Sequence, residues 1–269
     1  MVGKKVLILG SGDIGLIMAR RLTLEGAEVK AVVELMPFSG GLTRNIVQCL
    51  DDYNIPLYLS HTVIDIVGKE RLEKVIIAKV DENRKPIPGT EMTYECDTLL
   101  LSVGLIPEND ISRKTGLEID RRTNGLIVNE MMETSADGIF ACGNVVHVHD
   151  LVDFVSAEAR RAGKAAAKYI KNEVKIGDYR EIKNGKGIVY TVPQKFRAEN
   201  IDTALEVFMR VNNIYKNVKL EVKDENKILI SLKKQHMAPG EMEKIMIPKK
   251  ILDSTEGKIL TVEITGGEQ

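Results

Sequence analysis

The sequence has few of the features that mark secreted or disulfide-stabilised proteins. It contains no tryptophan and only 4% aromatic residues, so the core must depend on Ile, Leu, Val and Met. Its three cysteines are Cys49, Cys96 and Cys142. They are scattered and odd in number, and no pair has the C-x-x-C spacing of a redox dithiol or a metal knuckle. We therefore expect a reducing, cytoplasmic location.

Charge and hydropathy exclude two further classes. The 38 basic and 39 acidic residues leave a net charge of −1, which argues against nucleic acid as a partner. No apolar run reaches the ~18–20 residues that a membrane helix needs. Lys4 and Lys5 precede only four apolar residues, which is too short for a signal peptide. A hydrophobic content of 43% in 269 residues instead indicates a globular protein of about two domains.

The N-terminal residues have the pattern of a βαβ unit. Residues 5–9 form a short apolar run typical of a strand buried on both faces, and glycines follow at once. Residues 14–25 predict a helix, with an apolar stripe that includes Ile14 and Ile17, and Gly26 ends it. Residues 29–33 predict a second strand, which Glu34 follows.

Beyond this unit the sequence predicts further helices and strands. A helix is predicted over 42–53, and three short strands at 62–67, 74–80 and 91–94 indicate an antiparallel insert. Buried strands are predicted at 98–103, 126–128 and 138–144, before a helix at 151–170 that contains the small residues Ala162, Gly163 and Ala166. After residue 180, short runs of period two predict an all-β, sandwich-like module.

The G-x-G-x-x-G motif of Gly10, Gly12 and Gly15 lies between the first strand and the first helix, with Glu34 19 positions after its last glycine. In this setting the first glycine permits a tight turn, the second lets the backbone approach a diphosphate, and the third lets helix and strand pack closely. The helix N-terminus offers unpaired N–H groups to the phosphates. The motif therefore predicts a dinucleotide site, and the alternative is an α/β turn without nucleotide.

Glu34 favours NAD over NADP at this site. Its carboxylate would accept hydrogen bonds from the adenosine ribose hydroxyls and repel a 2′-phosphate. The nearby Arg44 weakens this preference, because an arginine can accommodate the extra phosphate.

Three segments together resemble the pyridine nucleotide-disulfide oxidoreductase superfamily, flavoproteins with two dinucleotide-binding domains. They are residues 7–15, 98–107 and 134–144, and the resemblance covers roughly residues 4–172. The run from Gly143 to Asp153 is most similar to the oxidoreductases of anaerobes whose genes accompany a glycerol-3-phosphate dehydrogenase. The resemblance implies a fold of class α/β with three parts. These are a Rossmann-like NAD-binding domain with an antiparallel insert at 1–106, the second segment of a FAD-binding-type domain at 107–178, and the C-terminal β module at 179–269.

The resemblance also implies FAD beside NAD(H). In the family, a Gly-Asp pair contacts FAD, and the helix after it directs its N-terminus at the flavin ring. Gly143 and Asn144 stand at that pair here, so an amide replaces the charge. The residues expected to contact the two cofactors are Gly10, Ser11, Gly12, Asp13, Ile14, Gly15, Glu34, Gly104, Gly143, Asn144, His149 and Asp150.

One family segment has no counterpart in this sequence. Family members carry a FAD-binding glycine segment before the NAD domain, and many also carry a redox disulfide. We expect either a fragment, a partner chain or second copy that completes the FAD-type domain, or a protein that no longer binds FAD. An incomplete domain leaves apolar surface that favours a partner.

His147, His149, Asp150 and Asp153 form the densest polar cluster. A His-x-His pair on an extended segment places both rings on one side, as in some metal sites. The alternatives are a role beside the flavin and a structural role in which Asp150 caps the following helix. We expect the structural role and assign no metal.

The expected function is that of an NAD(H)-dependent flavoprotein oxidoreductase, or the NAD-binding portion of one. It would pass hydride between NADH and FAD and on to an acceptor that the sequence does not name. The cofactors carry such chemistry, so no side chain is assigned as an acid–base catalyst. The alternative is a non-catalytic NAD(H)-binding sensor or docking module without flavin.

Overall fold

The computed structural model describes residues 3–225, 227–255 and 257–267. The chain divides into two compact units, Met1–Gly104 and Leu105–Gln269. None of the helices in the described residues is long and apolar enough to cross a membrane.

The first unit is built on a parallel sheet, as the βαβ pattern predicts. Its strands lie in the order β3-β2-β1-β7, and every neighbouring pair is parallel. The second sheet of this unit is antiparallel, in the order β4-β5-β6, as expected for the insert. The elements of the unit are β1 (Lys5–Leu9), α1 (Asp13–Leu24), β2 (Glu28–Val33), α2 (Thr43–Cys49), β3 (Leu57–Tyr58), β4 (His61–Val67), β5 (Lys74–Lys79), β6 (Met92–Glu95) and β7 (Thr98–Leu101).

The predicted helical face of α1 is wrong in part. The buried residues of this helix are Gly15, Leu16, Ala19 and Leu22, whereas Ile14 and Ile17 are exposed. The helix thus turns a glycine and an alanine towards the sheet, which allows close packing. The predicted helix at 42–53 also differs, because α2 ends at Cys49 and a short 3₁₀ turn follows at Asp51–Tyr53.

The second unit contains a long helix and two sheets. One sheet has the order β10-β8-β15-β12-β13 and the other the order β14-β11-β9. The elements are α3 (Asp110–Lys114), α4 (Val152–Ile170), β8 (Arg180–Asn184), β9 (Ile188–Val192), β10 (Lys195–Phe196), β11 (Ala204–Val211), β12 (Tyr215–Asp224), β13 (Lys227–Met237), β14 (Glu243–Pro248), α5 (Lys249–Asp253) and β15 (Ile259–Thr265). Because α5 lies among the strands, the C-terminal module is not purely β.

The two sheets share one hydrophobic core. Alternate residues of β11 and β14, such as Val207 and Ile245, pack in one buried cluster with Leu220 of β12 and Leu260 of β15. A second cluster joins residues of the 126–146 stretch to α4 and to Tyr190 and Val192 of β9. The predicted division of this unit near residue 178 stays a prediction.

The strands predicted at 126–128 and 138–144 do not form. This stretch contains single bridges, Ile119 with Leu126 and Glu133 with Phe140. Side chains replace the ladder: the Asn109 amide donates to the carbonyls of Asn124 and Val145 at 3.0 and 2.9 Å. The 126–128 run is largely buried, as expected, whereas Ile139 of the 138–144 run is exposed, and neither run has strand backbone.

Gly15 in α1 and Gly163 in α4 allow a test of how tightly each helix packs within its own unit. A Cβ at Gly15 would lie 2.4 Å from the Gly10 carbonyl oxygen, whereas a Cβ at Gly163 of α4 would meet nothing within 4 Å. We expect Gly15→Ala to lower the free energy of unfolding by about 1–3 kcal/mol, because backbone must shift. Gly163→Ala should raise it by about 0.5–1 kcal/mol, because alanine is the better helix former. Urea unfolding of both variants measures this, and equal effects would contradict the packing of α1.

Candidate functional site

The turn between β1 and α1 requires two of its three motif glycines. Gly10 has a φ of +100°, and a Cβ there would lie 2.0 Å from the Ser102 carbonyl oxygen. Its N–H donates to the Val33 carbonyl at 2.7 Å, which fixes the turn against β2. A Cβ at Gly15 would meet Gly10 itself. These two glycines therefore serve the fold.

Gly12 differs from both, because neither its backbone conformation nor its neighbouring atoms require a glycine. Its φ of −65° and ψ of 164° are open to any residue. The nearest atom to a Cβ at Gly12 would be the Ser102 hydroxyl oxygen at 4.0 Å. Gly12 is also the N-cap residue of α1, and no side chain caps the helix there. The missing Cβ leaves backbone accessible beside an uncapped helix N-terminus, which is a favourable place for an anion.

Glu34 bonds to the glycine turn itself. Its Oε2 accepts from the Ser11 N–H at 2.9 Å and from the Ser11 hydroxyl at 2.7 Å, and its Oε1 accepts from the Met36 N–H at 2.9 Å. The carboxylate is half-buried. An ionised carboxylate has about four acceptor positions. Oε1 therefore keeps acceptor capacity for a further donor.

The segment from Ser39 to Asn45 packs against this turn. The Ser39 hydroxyl donates to the Ser11 carbonyl at 3.0 Å, and the Gly40 N–H donates to the Ser11 hydroxyl at 3.2 Å. Asp13 Oδ1 accepts from the Leu42 N–H at 2.8 Å and from the Asn45 amide at 2.7 Å. Sequence reasoning grouped Ser11 and Asp13 with the cofactor contacts and missed this segment, although the Gly40-Gly41 pair could have indicated a close approach.

Two other expected contacts of the first unit are exposed. Ile14 is exposed in the first turn of α1, and Gly104 is exposed with a φ of +94° and open space around it. The residues predicted to contact the dinucleotide, Gly10 to Gly15 and Glu34, thus lie together at the end of β1, while Gly104 follows β7.

The second unit brings Gly143 and Asn144 into a 3₁₀ turn, Gly143–Val145. Gly143 has a φ of +73°, and its N–H donates to Glu158 Oε2 at 2.6 Å. Asn144 is exposed, and its Oδ1 accepts from the His149 N–H at 3.2 Å. The predicted buried strand around Cys142 is therefore a turn anchored to α4.

Glu158 is the residue that sequence reasoning missed. Its Oε1 lies 3.0 Å from His147 Nε2, its Oε2 lies 3.1 Å from His149 Nε2, and all three side chains are fully buried. Burial acts to raise the pKa of Glu158, but the hydrogen bonds from the two histidines and Gly143 outweigh it and hold that pKa at about 2. Burial lowers the pKa of His147 despite its bond to Glu158. A buried carboxylate is thus held ionised by donors.

Asp150 does not cap the following helix, so that expectation is wrong. The N-cap residue of α4 is Leu151, and no side chain caps it. Asp150 instead pairs with the Arg210 guanidinium and accepts from the Met242 N–H at 2.6 Å. The charge-assisted hydrogen bond to Arg210 of β11 therefore holds this carboxylate in place of the helix N-terminus. Asp153 lies in the first turn of α4.

A family model described as pyridine nucleotide-disulphide oxidoreductase matches residues 1–168. The NADH oxidase of Methanocaldococcus jannaschii is 31% identical over 182 residues, which cover 62% of this chain and 37% of that protein. The mitochondrial dihydrolipoyl dehydrogenase of Caenorhabditis elegans is 32% identical over 151 residues, covering 54% of this chain and 29% of that protein.

Solved structures give a similar result. The crystal structure of T. acidophilum thioredoxin reductase resembles this chain with a TM-score of 0.55 and 25% identity. The likeness covers 64% of this chain and 53% of that one. This chain therefore spans about a third of the two curated relatives and about half of this solved structure.

The Ser11 hydroxyl gives a test of how the segment 39–42 is held. We expect Ser11→Ala to cost about 1–3 kcal/mol of unfolding free energy, because Glu34 and the Gly40 N–H each lose a partner. The amides of Gly40 and Gly41 should exchange hydrogen faster. Ser254→Ala is the control, since that exposed hydroxyl bonds only locally to the Ile251 carbonyl. Urea unfolding and hydrogen exchange measure both variants, and equal stability would show that Ser11 does not anchor the segment.

Proposed function

The chain belongs to the pyridine nucleotide-disulphide oxidoreductase family, and on that premise we propose that it is an NAD(H)-dependent flavoprotein oxidoreductase or the NAD-binding portion of one. Proteins of this family use FAD and NAD(P)H. Bound together, the two cofactors would supply the chemistry of hydride transfer between nicotinamide and flavin. The chain's own residues bind and orient these groups, and we assign none of them an acid–base role.

The observation that carries the proposal is the geometry at Gly12. The fold explains why Gly10 and Gly15 are glycines, but it leaves Gly12 unexplained, since a Cβ would fit there. A diphosphate lying against the backbone would use the space that this Cβ would fill. The uncapped first turn of α1 then donates its N–H groups to the phosphate oxygens.

Glu34 supports a preference for NAD(H). It keeps acceptor capacity on Oε1 for the ribose hydroxyls while it also holds Ser11 and Met36. A 2′-phosphate at the same position would meet a carboxylate of like charge. Arg44 is exposed on α2, and it has no ion pair among the described residues.

A flavin role for the second unit is supported by its turn and helix. Asn144 is exposed and can hydrogen-bond a ribityl hydroxyl, while Glu158 holds the adjacent Gly143 N–H. The N-terminus of α4 lacks a side-chain cap, so it can stabilise negative charge on a flavin ring. The His149 side chain is fully buried against Glu158, so only its backbone is available to a flavin, and the Asp150 carboxylate is paired with Arg210.

We propose that a partner chain, a second copy or a further segment completes the FAD-type domain. Between residues 101 and 111 five large apolar side chains are each more than 60% exposed: Leu101, Val103, Leu105, Ile106 and Ile111. Leu101 and Val103 lie in the first unit and the other three in the second, and within each unit exposed apolar side chains favour burial against another protein surface.

Gly12→Ala separates cofactor binding from folding. We expect this variant to fold as the parent does, because its φ is ordinary and the Cβ has room. NADH affinity should fall at least about tenfold, roughly 1.4 kcal/mol, because the methyl group occupies the diphosphate position. Fluorescence titration with NADH measures this.

Gly163→Ala is the matched control, which should bind NADH as the parent does. NADPH titrated in parallel should bind more weakly than NADH. A Gly12→Ala protein with unchanged NADH affinity would contradict the site, and tighter NADPH binding would contradict the role of Glu34.

The flavin half of the proposal has its own test. We expect FAD added to the purified chain, or to the chain together with its completing partner, to give flavin absorbance and NADH-dependent dye reduction. Asn144→Tyr should abolish flavin binding, because the larger side chain would occupy the flavin position. Asn144→Asp serves as the conservative variant. A complete assembly that binds NADH but reduces no dye with excess FAD would favour the non-catalytic sensor.

A further inference from the structure

His147, His149 and Glu158 bring three metal-ligating groups together inside the second unit. The histidines lie between the Gly143–Val145 turn and α4, and Glu158 comes from the second turn of that helix. The two imidazole centroids are 4.1 Å apart. One ligand atom of each residue lies within 4.8 Å of the other two. This convergence involves two separate elements, so local chain geometry alone does not produce it.

Hydrogen bonding to Glu158 leaves the two rings incompletely satisfied. Each Nε2 faces a carboxylate oxygen, but the Nδ1 atoms of His147 and His149 are buried without a partner among the described residues. Buried polar groups are nearly always paired, and an unpaired one calls for a bound ion or water. These Nδ1 atoms call for a partner of their own, such as a water, and the case for a metal rests on the convergence of the three ligand groups.

The three groups are close enough to share one ion, which would replace the hydrogen bonds between the two Nε2 atoms and Glu158. Nε2 of each histidine lies 3.0 or 3.1 Å from a Glu158 oxygen. Two ligand atoms at that separation can each lie about 2.0–2.2 Å from a single zinc ion. We propose that His147, His149 and Glu158 bind one divalent transition-metal ion of the Zn²⁺ type. Two imidazoles with one carboxylate favour such an ion over Mg²⁺ or Ca²⁺, which prefer oxygen ligands throughout.

The surroundings hold the ligands in place. The Gly143 N–H donates to Glu158 Oε2 at 2.6 Å, which orients the carboxylate as contacts outside the ligand set do in metal sites. The rings of Tyr190 and Phe208 lie 6.0 and 5.6 Å from the His147 ring and form an apolar wall. The bound ion would therefore tie the Gly143–His149 segment to α4. This inference involves no nicotinamide or flavin and stands apart from the proposed function.

The test uses the full-length chain without a histidine tag, treated with chelator and then titrated with Zn²⁺ and, separately, Co²⁺. We expect binding of one ion per chain, a higher melting temperature and visible cobalt absorption bands. His149→Gln should lower Zn²⁺ affinity at least about 100-fold, since losing even a contact outside the ligand set costs about 10- to 100-fold. His236→Gln removes an exposed histidine and should change nothing, which makes it the matched control.

A second measurement keeps the test independent of how the variants fold. X-ray absorption of the zinc-loaded parent should show only nitrogen and oxygen ligands. A sulfur ligand at about 2.3 Å would identify a cysteine and overturn the assignment. Failure of the parent to retain stoichiometric Zn²⁺ or Co²⁺ would overturn it as well, and so would equal affinity in the parent and a folded His149→Gln variant.

Discussion

The close approach of α1 to the end of β1 is the constraint on which the first unit depends. It requires that the Gly10 carbonyl and the Gly15 backbone share a space too small for a side chain. Once that contact is made, the first turn of the helix lies directly after the central strand of the sheet, with its N–H groups uncapped. The opening beside Gly12 is a product of this packing, so the site and the fold have the same origin.

Much of this first unit could be predicted from the sequence, because its signals are local. An apolar run, three glycines at fixed spacing and an acidic residue after the next strand specify a βαβ unit within a short window. The face of α1 was harder to predict, because hydrophobic periodicity selected Ile14 and Ile17 while close packing selected Gly15 and Ala19. The close approach of α1 requires small residues at the contact, and hydrophobic periodicity does not detect this requirement.

The second unit was less predictable, because polar side chains form the hydrogen bonds to backbone groups that strand pairing would otherwise form. Asn109 and Asn129 satisfy backbone groups that strands would otherwise pair, so apolar runs fold as irregular chain. Glu158 lay inside a helix with no sequence signal of its own, and only the folding of α4 against the Gly143 turn brought it to the histidines. Contacts between distant segments of this kind depend on tertiary structure.

The three hydrogen bonds that Glu34 accepts have a consequence for how cofactor preference can change in evolution. Because one carboxylate holds both the Ser11 turn and the Met36 backbone, replacing it alone would loosen the turn between β1 and α1, where we propose that the diphosphate binds. On the proposed preference for NAD(H), a lineage that moved to the phosphorylated dinucleotide would need compensating substitutions around Ser11 and Ser39 before or together with the loss of Glu34. The proposed preference would thereby be protected by epistasis, since single substitutions of Glu34 would pass through less stable intermediates.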